Sequence, residues 1–230
     1  MTPRSVITNL RFLLRRIRRP AGIDFLRRTS PVSSDFGFDR GTPVDRYYIE
    51  KFLGDNRADI HGRVLEITDS SYSRRFGSGV TQYDVLDLDS SNREATIIAD
   101  LSKPDGIPSE AFDCFILCQT IQYIFDIRAA VESAYRMLRP NGVLLVTAPF
   151  VSRVLTDFES DFWRFTPTLS ARLFGDVFGT ENVTVKSYGN VLTCCAFLQG
   201  MAHEELSETK LSKNDDLFPL VIAVRAVKRA

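Results

Sequence analysis

Acidic or polar residues follow one short apolar run after another in this sequence. Glu66 sits in RVLEI (63–67), and a polar turn, TDSSYSRRFGSG, comes after it. YDVLDL (83–88) carries Asp87 and is followed by Asp89. ATIIA (95–99) is followed by Asp100 and Leu101, and FDCFILC (112–118) by Gln119 and Thr120. A ligand bearing a nucleoside asks for this set: a carboxylate for ribose hydroxyls, a second polar group for an adenine amine, and backbone for the remainder. A second group follows the run VLLVTA (143–148). The segment 150–166 holds Asp157, Glu159 and Asp161, the only tryptophan, Trp163, and Arg164. Aromatic faces beside carboxylates suit a polar, ring-shaped ligand such as a sugar.

Those residues need a scaffold that brings strand ends together. Seven runs read as strands: 63–67, 83–88, 95–99, 112–118, 143–148, 182–188 and 218–227. Helices fall between them. Thr42-Pro43 opens one that runs to about Leu53, Asp126 caps one over IRAAVESAYRML, Thr166-Pro167 opens one through Phe178, and another covers about 191–206. Arg139-Pro-Asn-Gly142 is a turn. Short apolar strands alternating with helices predict a doubly wound, mostly parallel seven-stranded sheet. Right-handed crossovers then put the ligand loops at the carboxyl ends of the strands.

Residues 1–30 differ from the rest. They hold eight arginines and one acid, Asp24, although the whole chain balances 29 bases against 29 acids. Leu10, Leu13, Leu14 and Ile17 lie at helical spacing, so residues 1–20 read as a basic amphipathic helix, either a solvated arm or a contact for an anionic membrane surface. The expected organisation is an arm over 1–30 and one domain over 31–230. Arg11, Arg15 and Arg16 interrupt the first apolar stretch, which is no secretory signal. No run reaches the ~18–20 apolar residues of a membrane span. The expected location is cytoplasmic, with peripheral membrane contact through the arm. The four cysteines lack CxxC spacing and read as reduced thiols. No metal is expected. Outside the arm the chain is not basic, which argues against nucleic acid as a partner.

The series VLEI, DVLDLD, IIADL, FDCFILCQTIQYI and AYRMLRPNGVLLVTAP resembles, over residues 62–150, the class I S-adenosylmethionine-dependent methyltransferases of the type 11 group. The resemblance implies a Rossmann-like methyltransferase fold with S-adenosylmethionine as cofactor. It places Glu66 and Thr68 at the methionine end, Asp87 or Asp89 at the ribose with Asp87 favoured, Asp100 and Leu101 at the adenine, and Gln119 near the sulfonium. DFWRFTP (161–167) is similar to methyltransferases of cell-surface polysaccharide pathways, which implies a small-molecule acceptor, a carbohydrate first among them. Trp163 and Arg164 would then bind the acceptor, and Asp161 or Asp157 would take its proton, Asp161 favoured for its place beside Trp163. One departure stands out. The family reads E-x-G-x-G-x-G after its first strand, whereas here no glycine occurs between Glu66 and Gly77. Thr68 and Ser70 then need an unusual turn, with Asp69 expected in the left-handed region. The alternative reading is a binding or scaffold domain that kept the fold and lost catalysis. The segment 36–48, with its glycines, aromatics and Asp-Arg pairs, reads as a lid on the cofactor or as a structural cap.

Overall fold

The structure, a computed structural model, describes residues 28–103, 105–155 and 160–229. The basic arm, apart from its last three residues, lies outside them. Among the described residues no helix is long and apolar enough to cross a membrane.

The chain divides into two compact units. The larger takes residues 49–150, 154–187 and 221–230. Its helices and strands follow in the order α1 (Val44–Asp55, whose first turns belong to the smaller unit), β1 (Gly62–Ile67), α2 (Ser71–Phe76), β2 (Val80–Asp87), β3 (Ile97–Ile98), β4 (Phe112–Cys118), α3 (Ile127–Met137), β5 (Leu138–Pro149), α4 (Pro167–Phe178), β6 (Val183–Tyr188) and, after a long excursion, β7 (Val221–Val227). One seven-stranded sheet runs β3-β2-β1-β4-β5-β7-β6. The pairs β1·β2, β1·β4, β2·β3 and β4·β5 are parallel, and β7 lies antiparallel to β5. The order reverses between β1 and β4. In a doubly wound sheet, ligands bind in the crevice outside the carboxyl ends of the strands at such a reversal.

The elements form for local reasons that packing then reinforces. Asp126 caps α3 by accepting from Ala129 N–H at 3.0 Å, and Ala130, Val131, Ala134 and Met137 fall on its buried face. Thr166 caps α4 through Leu169 N–H at 3.1 Å, with Pro167 at the first helical position, and Leu173, Phe174 and Phe178 turn inward. Those faces join Leu65, Phe112, Phe115, Leu117, Leu144 and Val146 of the sheet in one core. Burying an aliphatic or aromatic side chain of this size contributes roughly 1.5–3 kcal/mol.

Several boundaries differ from the sequence expectation. The run 95–99 yields only two strand residues, Ile97 and Ile98, which pair with Leu86 and Asp87. β5 starts at Leu138, so the Arg139–Gly142 turn is absorbed as a bulge. Leu138 pairs with Phe112 and Val143 with Cys114, and Asn141 takes φ 65° in between. The first helix begins at Val44, because Pro43 forms a bridge with Ala202.

The smaller unit comprises the described residues 28–48 with 151–153 and 188–220. It holds α5 (Val191–Leu198) and α6 (Glu208–Leu211). The helix expected to reach 206 stops at Leu198, because Gly200 takes φ 66° and a Cβ there would lie 2.2 Å from Ser33 O. The backbone of Val32 and Ser33 donates to Gln199 O at 3.0 and 3.1 Å. Arg40 is fully buried and binds Glu205 through Nε at 2.9 Å and Nη2 at 2.5 Å. Thr42 N–H meets the Glu204 carboxylate, and the Tyr47 hydroxyl donates to Glu208. The cap expected of segment 36–48 is thus tied by Arg–Glu contacts. In the same segment Asp39 accepts from the Ser33 hydroxyl.

Candidate cofactor and acceptor site

Glu66 is the penultimate residue of β1, paired on one side with Val85 and on the other with Ile116. Its side chain is buried and accepts from Tyr72 N–H at 2.9 Å and Ser73 N–H at 2.8 Å. These are the first amides of α2, which have no partner within the helix. Burial pushes the carboxyl above its ordinary value against the pull of these amides. Glu66 thereby fastens the polar turn back onto its own strand. Within that turn the left-handed residue is Thr68, at φ 69°, and not Asp69 as the sequence suggested. Thr68 N–H donates to Leu86 O at 3.1 Å, which holds it against β2 and forces the reversal there. Asp69 instead accepts from Ser71 N–H at 2.7 Å, a local Asx turn that leads into α2.

The two acids after β2 separate by what they bind. Asp87, the last residue of β2, accepts from Asp89 N–H at 3.0 Å and from the Asn92 amide at 2.7 Å. Asp89 folds onto Ser91, taking its N–H and its hydroxyl at 2.8 Å each, and shapes the turn. Asp100 follows β3. It accepts from Ser102 N–H at 2.9 Å and Ser102 Oγ at 2.7 Å, and Lys103 lies 3.2 Å away. The Ser102 bonds hold its carboxyl below the usual range. Leu101 beside it is buried. The sequence reading missed Leu88 and Ile98, which are 72% and 47% exposed at the same strand ends. An apolar residue directly after a strand-end acid is the signal that marks Leu88.

The strands β4 and β5 open onto a second surface. Gln119 leaves β4 at φ 48°, with its N–H on Thr147 O at 2.8 Å, and its side-chain oxygen accepts from Gln122 Nε2 at 3.4 Å. Gln122 is buried, and its carbonyl receives Phe162 N–H at 3.0 Å and Trp163 N–H at 3.2 Å. Trp163 Nε1 donates to Ile124 O at 3.0 Å. Three bonds therefore pin the segment after β5 to the segment after β4. On that support Phe125 and Phe162 stand edge to face, centroids 5.3 Å apart, and Phe125 also meets Trp163 at 6.2 Å. Phe125 is 70% exposed. Neither phenylalanine was singled out from the sequence, because an exposed aromatic and a core aromatic look alike there.

Asp161 and Arg164 form a bidentate pair, 2.5 and 2.9 Å, and Asp161 also accepts from Leu155 N–H at 3.0 Å. The Arg164 guanidinium holds the Asp161 carboxyl below the usual range. Asp161 is therefore an anion at neutral pH, but one whose oxygens already carry three N–H groups. Asp157, the other expected acid, lies outside the described residues.

The strand ends fit a nucleoside-bearing cofactor. A carboxylate offers about four acceptor positions. Two at Asp87 are filled by Asp89 and Asn92, which leaves two for a vicinal diol, and exposed Leu88 and Ile98 offer an apolar face beside it.

Comparison with known proteins agrees. Residues 67–146 match the family model described as a methyltransferase domain, of the type 11 group. Over 81 residues, 33% of this chain, the sequence is 35% identical to "Probable polyketide synthase 8/35" of Dictyostelium discoideum, and it spans about 3% of that protein's length. Among solved structures, a SAM-dependent methyltransferase from Archaeoglobus fulgidus superposes with TM-score 0.53 at 10% identity, covering 80% of this chain and 94% of its own. One from Thermotoga maritima gives 0.52 at 15% identity, covering 81% and 92%. Glu66 precedes the matched stretch by one residue, and Asp87, Asp100, Leu101 and Gln119 lie inside it. Residues 67–146 thus match a methyltransferase domain of the type 11 group, the chain shares the fold of solved SAM-dependent methyltransferases over four-fifths of its length, and S-adenosylmethionine is the cofactor expected of such a domain.

Proposed function

We propose that this methyltransferase O-methylates a small polar, ring-shaped acceptor, a sugar first among these, in cell-surface polysaccharide biosynthesis. The observation that carries this reading is the exposed Phe125–Phe162 pair, pinned beside the carboxyl ends of β4 and β5 through Gln122 and Ile124. Sugar rings stack their C–H faces on such aromatics while their hydroxyls stay in reach of polar groups. Bound S-adenosylmethionine supplies a methyl group on a sulfonium, an electrophile that needs a nucleophile held in line with it.

In this reading Asp87 takes the ribose hydroxyls, and Asp100 and Leu101 border the adenine. Glu66 and Thr68 shape the methionine end, and Gln119 approaches the sulfonium. Trp163 and Arg164 line the acceptor side. The acceptor hydroxyl must lose its proton as the new C–O bond forms. Asp161 and Asp157 are the proposed proton acceptors. Because Asp161 is shared with Arg164, proton uptake there has to accompany loosening of that pair. The arm, residues 1–20, is proposed as a peripheral membrane contact, and liposome sedimentation with and without it tests this.

The test is a methyl-transfer assay with labelled S-adenosylmethionine and a panel of sugars and nucleotide sugars, run beside calorimetry with S-adenosylhomocysteine. Sugar methylation is expected. Phe125→Ala should raise the acceptor KM about tenfold, equivalent to 1.4 kcal/mol, and leave S-adenosylhomocysteine binding unchanged. Cofactor binding without transfer to any sugar would sink the acceptor assignment. No binding at all would favour the non-catalytic scaffold. A second reading, an acyl acceptor of the polyketide kind, has the 81-residue match in its favour. A thioester-linked acyl substrate in the same panel separates the two.

A further inference from the structure

Asn92 has no part in the assignments above, yet it joins two of them. It lies in the turn after β2, with its N–H on Asp89 O at 3.1 Å. Its Oδ1 accepts from Glu94 N–H at 3.0 Å. Its Nδ2 donates to Thr68 O at 2.7 Å, across 24 positions of chain, and to Asp87 Oδ2 at 2.7 Å. The orientation of this amide is settled by its neighbours. A flip would set an oxygen against a carbonyl and a carboxylate and an N–H₂ against an N–H.

The carbonyl that Asn92 holds belongs to Thr68, the β-branched residue at φ 69°. That conformation suits glycine and is unfavourable for threonine. Where the family places glycines, this chain has a strained residue fixed by a side chain from the next loop. The same nitrogen sets the Asp87 carboxylate, so the turn after β1 and the acid ending β2 share one anchor.

We propose that Asn92 is a positioning residue of the cofactor site, holding the Thr68 carbonyl and the Asp87 carboxylate in the geometry that receives the ribose diol. This rests on the reading of Asp87 as the ribose acid. Asn92→Ala removes both bonds. Asn92→Asp keeps the size and the acceptor for Glu94 but removes both donors and sets a second carboxylate against Asp87.

The experiment is calorimetry with S-adenosylhomocysteine on the full chain, for the wild type, Asn92→Ala, Asn92→Asp, Asp87→Ala and the double variant Asn92→Ala/Asp87→Ala, with thermal melts of each. The dissociation constant should rise about tenfold for Asn92→Ala and further for Asn92→Asp. A residue acting through Asp87 loses most of its effect once Asp87 is gone, so in the Asp87→Ala background Asn92→Ala should cost less than about threefold. Equal factors in both backgrounds, or no change on Asn92→Ala while the wild type binds, would overturn the proposal and leave the cofactor reading intact. No binding by the wild type, or full affinity in Asp87→Ala, would overturn the cofactor reading and this proposal with it.

Discussion

The turn after β1 and the segment after β5 both leave the carboxyl end of the sheet, and they are held in different ways. The turn after β1 is fastened at its far end by its own strand and at Thr68 by β2 and the loop that follows it. Glu66 collects amides six and seven positions further on, at the cost of a buried carboxyl raised above its ordinary value. The described part of the segment after β5 is tied across to another loop as well as within itself. It leans on the Gln122 and Ile124 carbonyls of another loop and on one ion pair whose acid is held below its ordinary value. A segment closed by a distant loop moves when that loop changes.

The largest break of this contrast comes from Glu66→Ala. It strips two helix-start amides of a buried acceptor and should lower stability by about 3 kcal/mol, offset in part by the relief of the buried carboxyl. Denaturant titration would record this, and S-adenosylhomocysteine binding should fall at least tenfold. Retained affinity at reduced stability would mean that the turn holds without its carboxylate.

Asp161→Asn comes next, at about 2 kcal/mol near neutral pH. Its pH dependence carries a definite sign. The folded carboxyl lies below its ordinary 3.8, so its stabilisation is present above that value and is lost as pH falls through the folded one. Melting curves from pH 7 downward should therefore show a steeper acid loss in the wild type than in Asp161→Asn. Glu66 has the opposite sign. Its folded value lies above the ordinary 4.5, and as pH falls through that window the native protein binds a proton that the unfolded chain does not, which adds stability. Matched melts of Glu66→Gln and Asp161→Asn would sharpen the comparison, since the two regions should tilt the curve in opposite directions.

The smallest effect is a gain. Thr68→Gly relieves the left-handed strain and should raise stability by roughly 0.5–1 kcal/mol, after the entropy that glycine adds to the unfolded chain. A melting temperature below that of the wild type would show that the Thr68 side chain contributes more than its backbone strain removes.

Much of the scaffold was legible. Asp126 and Thr166-Pro167 start helices where caps belong, because a cap is a contact over three residues. The strands over 112–118 and 183–188 follow their apolar runs closely. The acids at the strand ends were legible for the same reason, since a strand fixes which residue comes last. What failed was conformation inside turns. Asp69 has the general preference for the left-handed region, but Thr68 takes it, because its N–H must reach Leu86 O. The helix from Val191 looked longer than it is, as nothing local announces that Gly200 must make way for the Ser33 carbonyl.

The sequence by itself determined the alternation of strands and helices, the caps, and the carboxylates that end β1 and β2, since each depends on periodicity or on bonds within one turn. Only the tertiary structure decided that Asn92 would meet Thr68 and that Phe125 and Phe162 would stand together in the open. Those pairings join loops brought side by side by the order of strands in the sheet, and a hydrogen bond between distant residues leaves no periodic trace in the chain.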